Sequence, residues 1–169
     1  FKPDGSADYL TVDRFLPVNS GNGSVYAGWN GGSFAESDNE LWVALAEKAF
    51  AQANQSGYID RDNTNTYTGL DWGWMYTTLQ TLTGASSTSQ SATDMTATQL
   101  INLVNGATPI TAGFGTDGYG VVGGHAYIIS SYNASTGRFR LTNPWGHSHA
   151  DVTFSQLQAL NADIVWSNV

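Results

Sequence analysis

The chain has 169 residues, with 6 Lys+Arg against 14 Asp+Glu for a formal charge of -8, and it contains no cysteine. That length suits one domain, able to bury about two thirds of the surface its unfolded form exposes. The acidic balance argues against nucleic acid and anionic lipid as partners, no apolar run reaches the roughly 18 residues of a membrane span, and disulfides or thiolate metal sites are excluded within these residues.

In chain order, the alternation of residues 7–12 and again of 23–29, around an SGNG turn, predicts two strands. Ser37-Asp38-Asn39-Glu40 reads as a capping box. Behind it Trp42, Leu45, Ala46, Ala49, Phe50 and Ala53 form a helical stripe predicted to be buried, ending near Asn54 to Gly57. A polar loop follows to Gly69, then a second helix carrying Trp72, Met75, Tyr76 and Leu79 and stopping at Gly84. Residues 86–94, SSTSQSATD, read as a connector. Thr96-Ala97-Thr98-Gln99 predicts another capping box, opening a short helix that stops at Gly106. Strands are predicted at 110–115, 125–132, 138–142 and 162–167, with a short helix at 154–160. A strand pair, then helices, then an antiparallel sheet is an α+β order. The first residue is Phe1, not Met, so the chain is expected to be a trimmed or processed segment.

Three motifs are weaker than they look. Gly118-Tyr119-Gly120-Val121-Val122-Gly123 matches G-x-G-x-x-G, but a dinucleotide fingerprint needs a helix to open there, and residues 125–132 alternate like a strand. Glycines at those positions instead suit a mobile loop beside a groove, with Gly123, Gly120 and Tyr119 as candidates to border a substrate cleft. His147, His149 and Asp151 are candidate metal ligands, although H-x-H spacing is equally that of a polar turn. Asp60-x-Asp62-x-Thr64 opens like a calcium loop, yet it lacks the sixth-position glycine and has Asp71 where a bidentate Glu belongs.

The segment GGHAYIISSYNASTGRFRLTNPWG, residues 123–146, carries more chemistry. If its NASTG turn centres near Ser135, paired residue numbers sum to about 270. His125 then faces Trp145, and Asn143 is a diagonal neighbour on the same side, about 7–8 Å away at Cα. A slip of one residue would separate them. A lone histidine on a sheet face is more often a satisfied structural residue. Beside a carboxamide it can also be a base held in one tautomer, as cysteine-dependent hydrolysis requires.

The chain resembles the calpain-type branch of the papain-like cysteine proteases. Phe15-Leu16-Pro17-Val18 after Asp13-Arg14 is similar to that family's D-D-x-L-P segment, and LWVALAEKAFAQAN (41–54) to its L-W-x-A-L-x-E-K-A-Y helix. Gly124-His125-Ala126-Tyr127 resembles its G-H-A-Y strand, Asn143-Pro144-Trp145-Gly146 its N-P-W-G, and Phe154-Ser155-Gln156-Leu157 its closing helix.

The resemblance implies a partial papain-like fold, a central helix with an antiparallel sheet or barrel subdomain, in one domain spanning 1–169. It implies peptide-bond hydrolysis in which His125 is the base, Asn143 orients it, Trp145 covers the pair and Gly124 supports it. The nucleophilic Cys of papain-like enzymes precedes the His by roughly 130–150 residues. The thiol and the oxyanion glutamine are therefore expected upstream of Phe1, on an N-terminal segment or separate chain, and this polypeptide alone is expected to be inactive. Polypeptide is the implied substrate. Calcium is the family's cofactor, but the acidic loop that follows N-P-W-G there is shortened here to HSHAD. Two rivals remain: a non-catalytic calpain-like interaction module, and a secreted carbohydrate-binding domain suggested by six Trp and eight Tyr. The Gly-, Ser-, Thr- and Asn-rich composition is similar to that of bacterial extracellular or periplasmic proteins.

Overall fold

The structure is a computed structural model that describes residues 1–21, 42–57, 59 and 61–169. The strand expected at 23–29, the Ser37–Glu40 capping box and Asp60 lie outside the described residues.

The centre is one six-stranded antiparallel sheet. Its strands are β1 (Ser87–Ser91), β2 (Ile110–Phe114), β3 (His125–Asn133), β4 (Arg138–Thr142), β5 (Ala150–Thr153) and β6 (Asp163–Ser167), in spatial order β1-β6-β2-β3-β4-β5. Among the described residues four α-helices accompany it: α1 (Trp42–Gln55), α2 (Met75–Thr83), α3 (Ala97–Asn105) and α4 (Phe154–Ala159). The α+β class is therefore as expected. Among the described residues no helix is long and apolar enough to cross a membrane.

Period-2 burial makes one sheet face the core. Ile110, Ala112 and Phe114 are buried in β2 and Tyr127 and Ile129 in β3, and they join Leu100 of α3 and Leu157 of α4 in one cluster. Fully buried leucines of this kind contribute about 1.5–3 kcal/mol each. Both helices start on a reciprocal cap. The Thr96 Oγ1 accepts from the Gln99 N–H (3.2 Å), while Gln99 Oε1 accepts from the Thr96 N–H (2.7 Å). Thr153 and Gln156 repeat the arrangement at α4. The opposite face carries α2, whose Met75 lies against Gly113, a residue set between buried Ala112 and Phe114. At the far end of α2, Thr83 and Ser167 join hydroxyls at 2.9 Å. Gly84 closes α2 in the left-handed conformation, as its position predicts.

Four expectations need correction. Residues 7–12 form no strand and Tyr9 is 90% exposed, because alternation alone supplies no ladder partner. Residues 87–91, within the expected connector, are β1, an edge strand whose partner is β6. Small hydroxyl side chains give no apolar period to read, and the ladder itself fixes the conformation. Trp72 precedes α2 instead of lying in it. The stripe expected on α1 is only partly buried. Of that stripe Ala53 is buried, Leu45, Ala49 and Phe50 are half-buried and Trp42 and Ala46 are exposed, while the helix also buries Ala44, Ala51 and Asn54. The loop that follows α1 bonds to the Asn54 carboxamide, whereas periodicity alone does not say which stripe meets a neighbour.

Candidate active site

A β-hairpin, β3–β4, builds the site, and a single extra residue sets its geometry. At the turn Asn133 faces Arg138 and Tyr132 faces Phe139, so paired numbers sum to 271. Beyond Ser130 the pairs are Ile129 with Leu141 and Ile128 with Thr142, summing to 270. Ser130 is a β-bulge, and by absorbing one residue it turns the whole far end of β3 by one pleat. Its hydroxyl bonds the Thr142 hydroxyl at 2.9 Å. The His125 and Asn143 side chains consequently share a face, the one occupied by Tyr127 and Phe114.

There His125 Nε2 and Asn143 Oδ1 lie 2.9 Å apart. Only the ring nitrogen can be the donor in this pair, so the imidazole carries its proton on Nε2. Nδ1 has no hydrogen-bond partner among the described residues and keeps its lone pair. Asn143 is 1% exposed, and its Oδ1 also accepts from the Trp145 N–H at 2.9 Å. Its carbonyl accepts from the Gly146 N–H at 3.1 Å, and its own N–H donates to His149 Nδ1 at 3.0 Å. Its Nδ2 is buried without a partner among the described residues, a cost of about 1–3 kcal/mol that ordinary structural asparagines avoid.

Two rings hold the imidazole. Trp145 stacks on it with centroids 4.2 Å apart and planes at 29°. Tyr127 meets it edge-on at 5.2 Å, and Phe114 meets Tyr127 in the same way. The Tyr127 hydroxyl accepts from the Val122 N–H at 3.0 Å, tying the ring to the 115–124 loop. His125 remains partly exposed.

That loop is a small hairpin in which Gly118 bridges Val121, with Tyr119 and Gly120 at its tip, both at positive φ. Gly120 lies against Ala150 and Tyr119 is exposed. Gly123 donates to Asp117 Oδ1 at 2.7 Å, and a Cβ on it would come within 2.8 Å of the Thr116–Asp117 backbone. No helix opens after Gly123. The chain enters β3, as the reading against a nucleotide site requires.

The site also contains residues that sequence reasoning missed. Trp72 lies over Gly124, its ring edge 3.4 Å from where a Cβ would stand, with φ of 62° and 80% exposure. A bulky residue held left-handed costs about 1–3 kcal/mol, and such strain gathers at working surfaces. Nothing in a helical pattern around Met75 signals it. The role of His149 toward Asn143 was also missed, because the H-x-H spacing pointed to metal.

The donor sets fit a metal poorly. His147 Nδ1 pairs with the Ser148 hydroxyl, His149 Nδ1 with Asn143, and Asp151 Oδ2 with Arg140 at 2.8 Å. Among the described residues no three His, Asp or Glu side chains converge. In the calcium-like loop, Asp62 Oδ1 already accepts from Asn54 Nδ2 (2.7 Å) and from the Thr64 N–H (3.0 Å) and hydroxyl (2.8 Å). The Asn54 bond foremost, then those from Thr64, hold the Asp62 carboxyl below its ordinary range.

Comparison with known proteins agrees with the motifs. The family model for calpain family cysteine proteases matches residues 1–160. No curated protein matches the chain. With that match running through both the hairpin and its loop, the chain belongs to the calpain family of cysteine proteases.

Proposed function

We propose that this chain carries the base and the orienting amide of a cysteine endopeptidase, with the thiol on a segment or chain outside these 169 residues. The observation that carries the reading is the 2.9 Å bond between His125 Nε2 and Asn143 Oδ1. It commits the ring proton to the buried side and leaves Nδ1 as the nitrogen that accepts a proton from a thiol. The resulting imidazolium favours the thiolate, which lowers a cysteine pKa to roughly 3–7. The thiolate attacks the peptide carbonyl, and the His125 imidazolium gives its proton to the leaving amine. His125 then draws a proton from water to hydrolyse the acyl-thioester.

The remaining residues support this chemistry. Asn143 keeps the tautomer, Trp145 covers the Nε2 bond, and Tyr127 limits rotation of the ring. Gly124 and Gly123 border the cleft, Trp72 forms its wall, and Tyr119 and Gly120 extend it. The fold that accommodates these roles is the His/Asn-bearing half of a papain-like protease.

The test is reconstitution with the Cys-bearing segment. Cleavage of an unfolded protein substrate, blocked by a thiol-directed epoxide, is expected, and His125→Ala abolishes it. The 169-residue chain alone is expected to be inactive, so epoxide-sensitive cleavage by the purified chain would contradict the proposal. If the folded chain binds the Cys-bearing segment yet never supports cleavage, a non-catalytic interaction module replaces the peptidase.

A further inference from the structure

The loop from Asn143 to His149 closes on itself. Asn143 Oδ1 takes the Trp145 N–H and Asn143 O takes the Gly146 N–H. Ser148, left-handed at φ 55°, turns the chain back. His149 Nδ1 then accepts the Asn143 N–H at 3.0 Å. Asn143 is 1% exposed, so this N–H has little access to water as a substitute acceptor.

We propose that His149 is a positioning residue for the Asn143–His125 pair, acting through a neutral imidazole that carries its proton on Nε2. A nitrogen accepts only through a lone pair, and a protonated imidazole has an N–H on both sides. Protonation of His149 therefore sets N–H against N–H, frees the Asn143 backbone, and with it loosens the Oδ1 that holds His125. This role rests on the reading of His125 and Asn143 as base and orienter. The hydrogen bond itself is observable without any hydrolysis.

The titratable and charged groups on the surrounding segments are His147 on the same loop, His125 across Asn143, and Asp151 with Arg140 on β5 and β4. Asp117 and Tyr119 lie on the 115–124 loop, which packs on Ala150. Asp151 is bound to Arg140, Asp117 accepts from the Gly123 N–H, and His147 pairs with the Ser148 hydroxyl.

The experiment is nitrogen-15 NMR of the folded chain, titrated through the range in which imidazoles change charge, about pH 8 to 5. At the alkaline end His149 Nδ1 is expected to be unprotonated and coupled through the hydrogen bond to the Asn143 amide nitrogen. On acidification the coupling is lost, and the Asn143 and Trp145 amides shift with the His149 midpoint. His149→Asn supplies an oxygen acceptor that does not titrate. There those amides keep their alkaline positions and follow only His125. His149→Ala shifts them at every pH while α3 and β2 amides stay in place. A proton on His149 Nδ1 at pH 8 would overturn the proposal without any variant, as would a His149→Asn chain that titrates like the parent. Where the Cys-bearing segment restores hydrolysis, His149→Ala lowers kcat about 10- to 100-fold with KM nearly unchanged, and His149→Asn recovers most of it. An unchanged kcat in His149→Ala would equally overturn it. Coupling present without hydrolysis condemns the peptidase reading alone; hydrolysis without coupling condemns this one alone.

Discussion

The β3–β4 hairpin and the α1 region solve the same problem, holding a buried asparagine, in different ways. Asn143 sits at a strand end where the ladder, the bulge at Ser130 and a seven-residue loop all converge on it. Asn54 sits at the C-terminal end of α1, fully buried, and is held by the loop that follows: its Nδ2 donates to Asp62 and to Thr64 O, and its Oδ1 accepts from the Asn63 N–H. The second asparagine makes these side-chain bonds within ten residues and serves to tie a loop to a helix. The first reaches across 18 residues to an imidazole and keeps a buried Nδ2 unpaired among the described residues. A fully satisfied polar cluster is architecture, whereas an incompletely satisfied one beside an aromatic-clamped imidazole is what the proposed role of His125 and Asn143 calls for.

The largest expected effect breaks the hairpin side. In the reconstituted enzyme, His125→Ala should lower turnover by about 10²- to 10⁴-fold or to below detection, because proton transfer has no other carrier. Peptide hydrolysis rates measure it, and an unchanged rate removes His125 from the mechanism. Phe139→Ala, in the same hairpin, should cost about 3–5 kcal/mol in urea unfolding, since it is 1% exposed and its ring meets that of Tyr132 at a tilt, 4.8 Å away.

Deleting Ser130 asks a sharper question. Removing the bulge residue leaves Ile129 opposite Leu141 and Ile128 opposite Thr142, so the ladder becomes regular and His125 and Asn143 keep a common face. The fold should survive with the Trp145–His125 ring-current shifts retained. Lost shifts would show that the kink of the bulge, and not the pairing beyond it, positions the pair. On the α1 side, Asn54→Ala should cost about 1–3 kcal/mol by leaving the Asn63 N–H without its acceptor, with the His125 resonances unmoved.

The smallest effect is acid sensitivity at Asp62. Its folded carboxyl titrates below its unfolded value, chiefly through Asn54 and then Thr64. The stability it contributes is therefore fully present above the unfolded value, about 3.9, and is lost as pH falls through the lower folded value. Comparing urea midpoints at pH 7 and pH 3, Asp62→Asn should lose less than the parent on acidification. An equal loss would detach Asp62 from the acid response.

What was legible in the sequence follows from how local each signal is. Thr96 with Gln99, and Gly84, work within one helical turn, and both stand where their spacing placed them. The α+β order is likewise a matter of local periods. The hairpin was half legible. A turn centred near Ser135 leads to a sum of 270, and the structure reaches that sum at the His125 end only because the bulge corrects a turn whose own sum is 271. Ser130 carries no mark that distinguishes it from Ser131. β1 was invisible because Ser87 to Ser91 have no apolar alternation, and β5 because only four residues follow a polar loop. The α1 stripe misled because amphipathic period identifies a face without saying what covers it. Trp72 acts through an unusual backbone and a contact at Gly124 far along the chain, and His149, only six residues from Asn143, acts through a loop closure that no periodicity signals.

The most direct measurement is the protonation state of the His125 ring in the folded chain at alkaline pH, read from its nitrogen-15 shifts. The expected state is a neutral imidazole with its proton on Nε2, directed at Asn143, and a bare Nδ1. A proton on Nδ1, or an Nε2 resonance indifferent to Asn143→Ala, would contradict it.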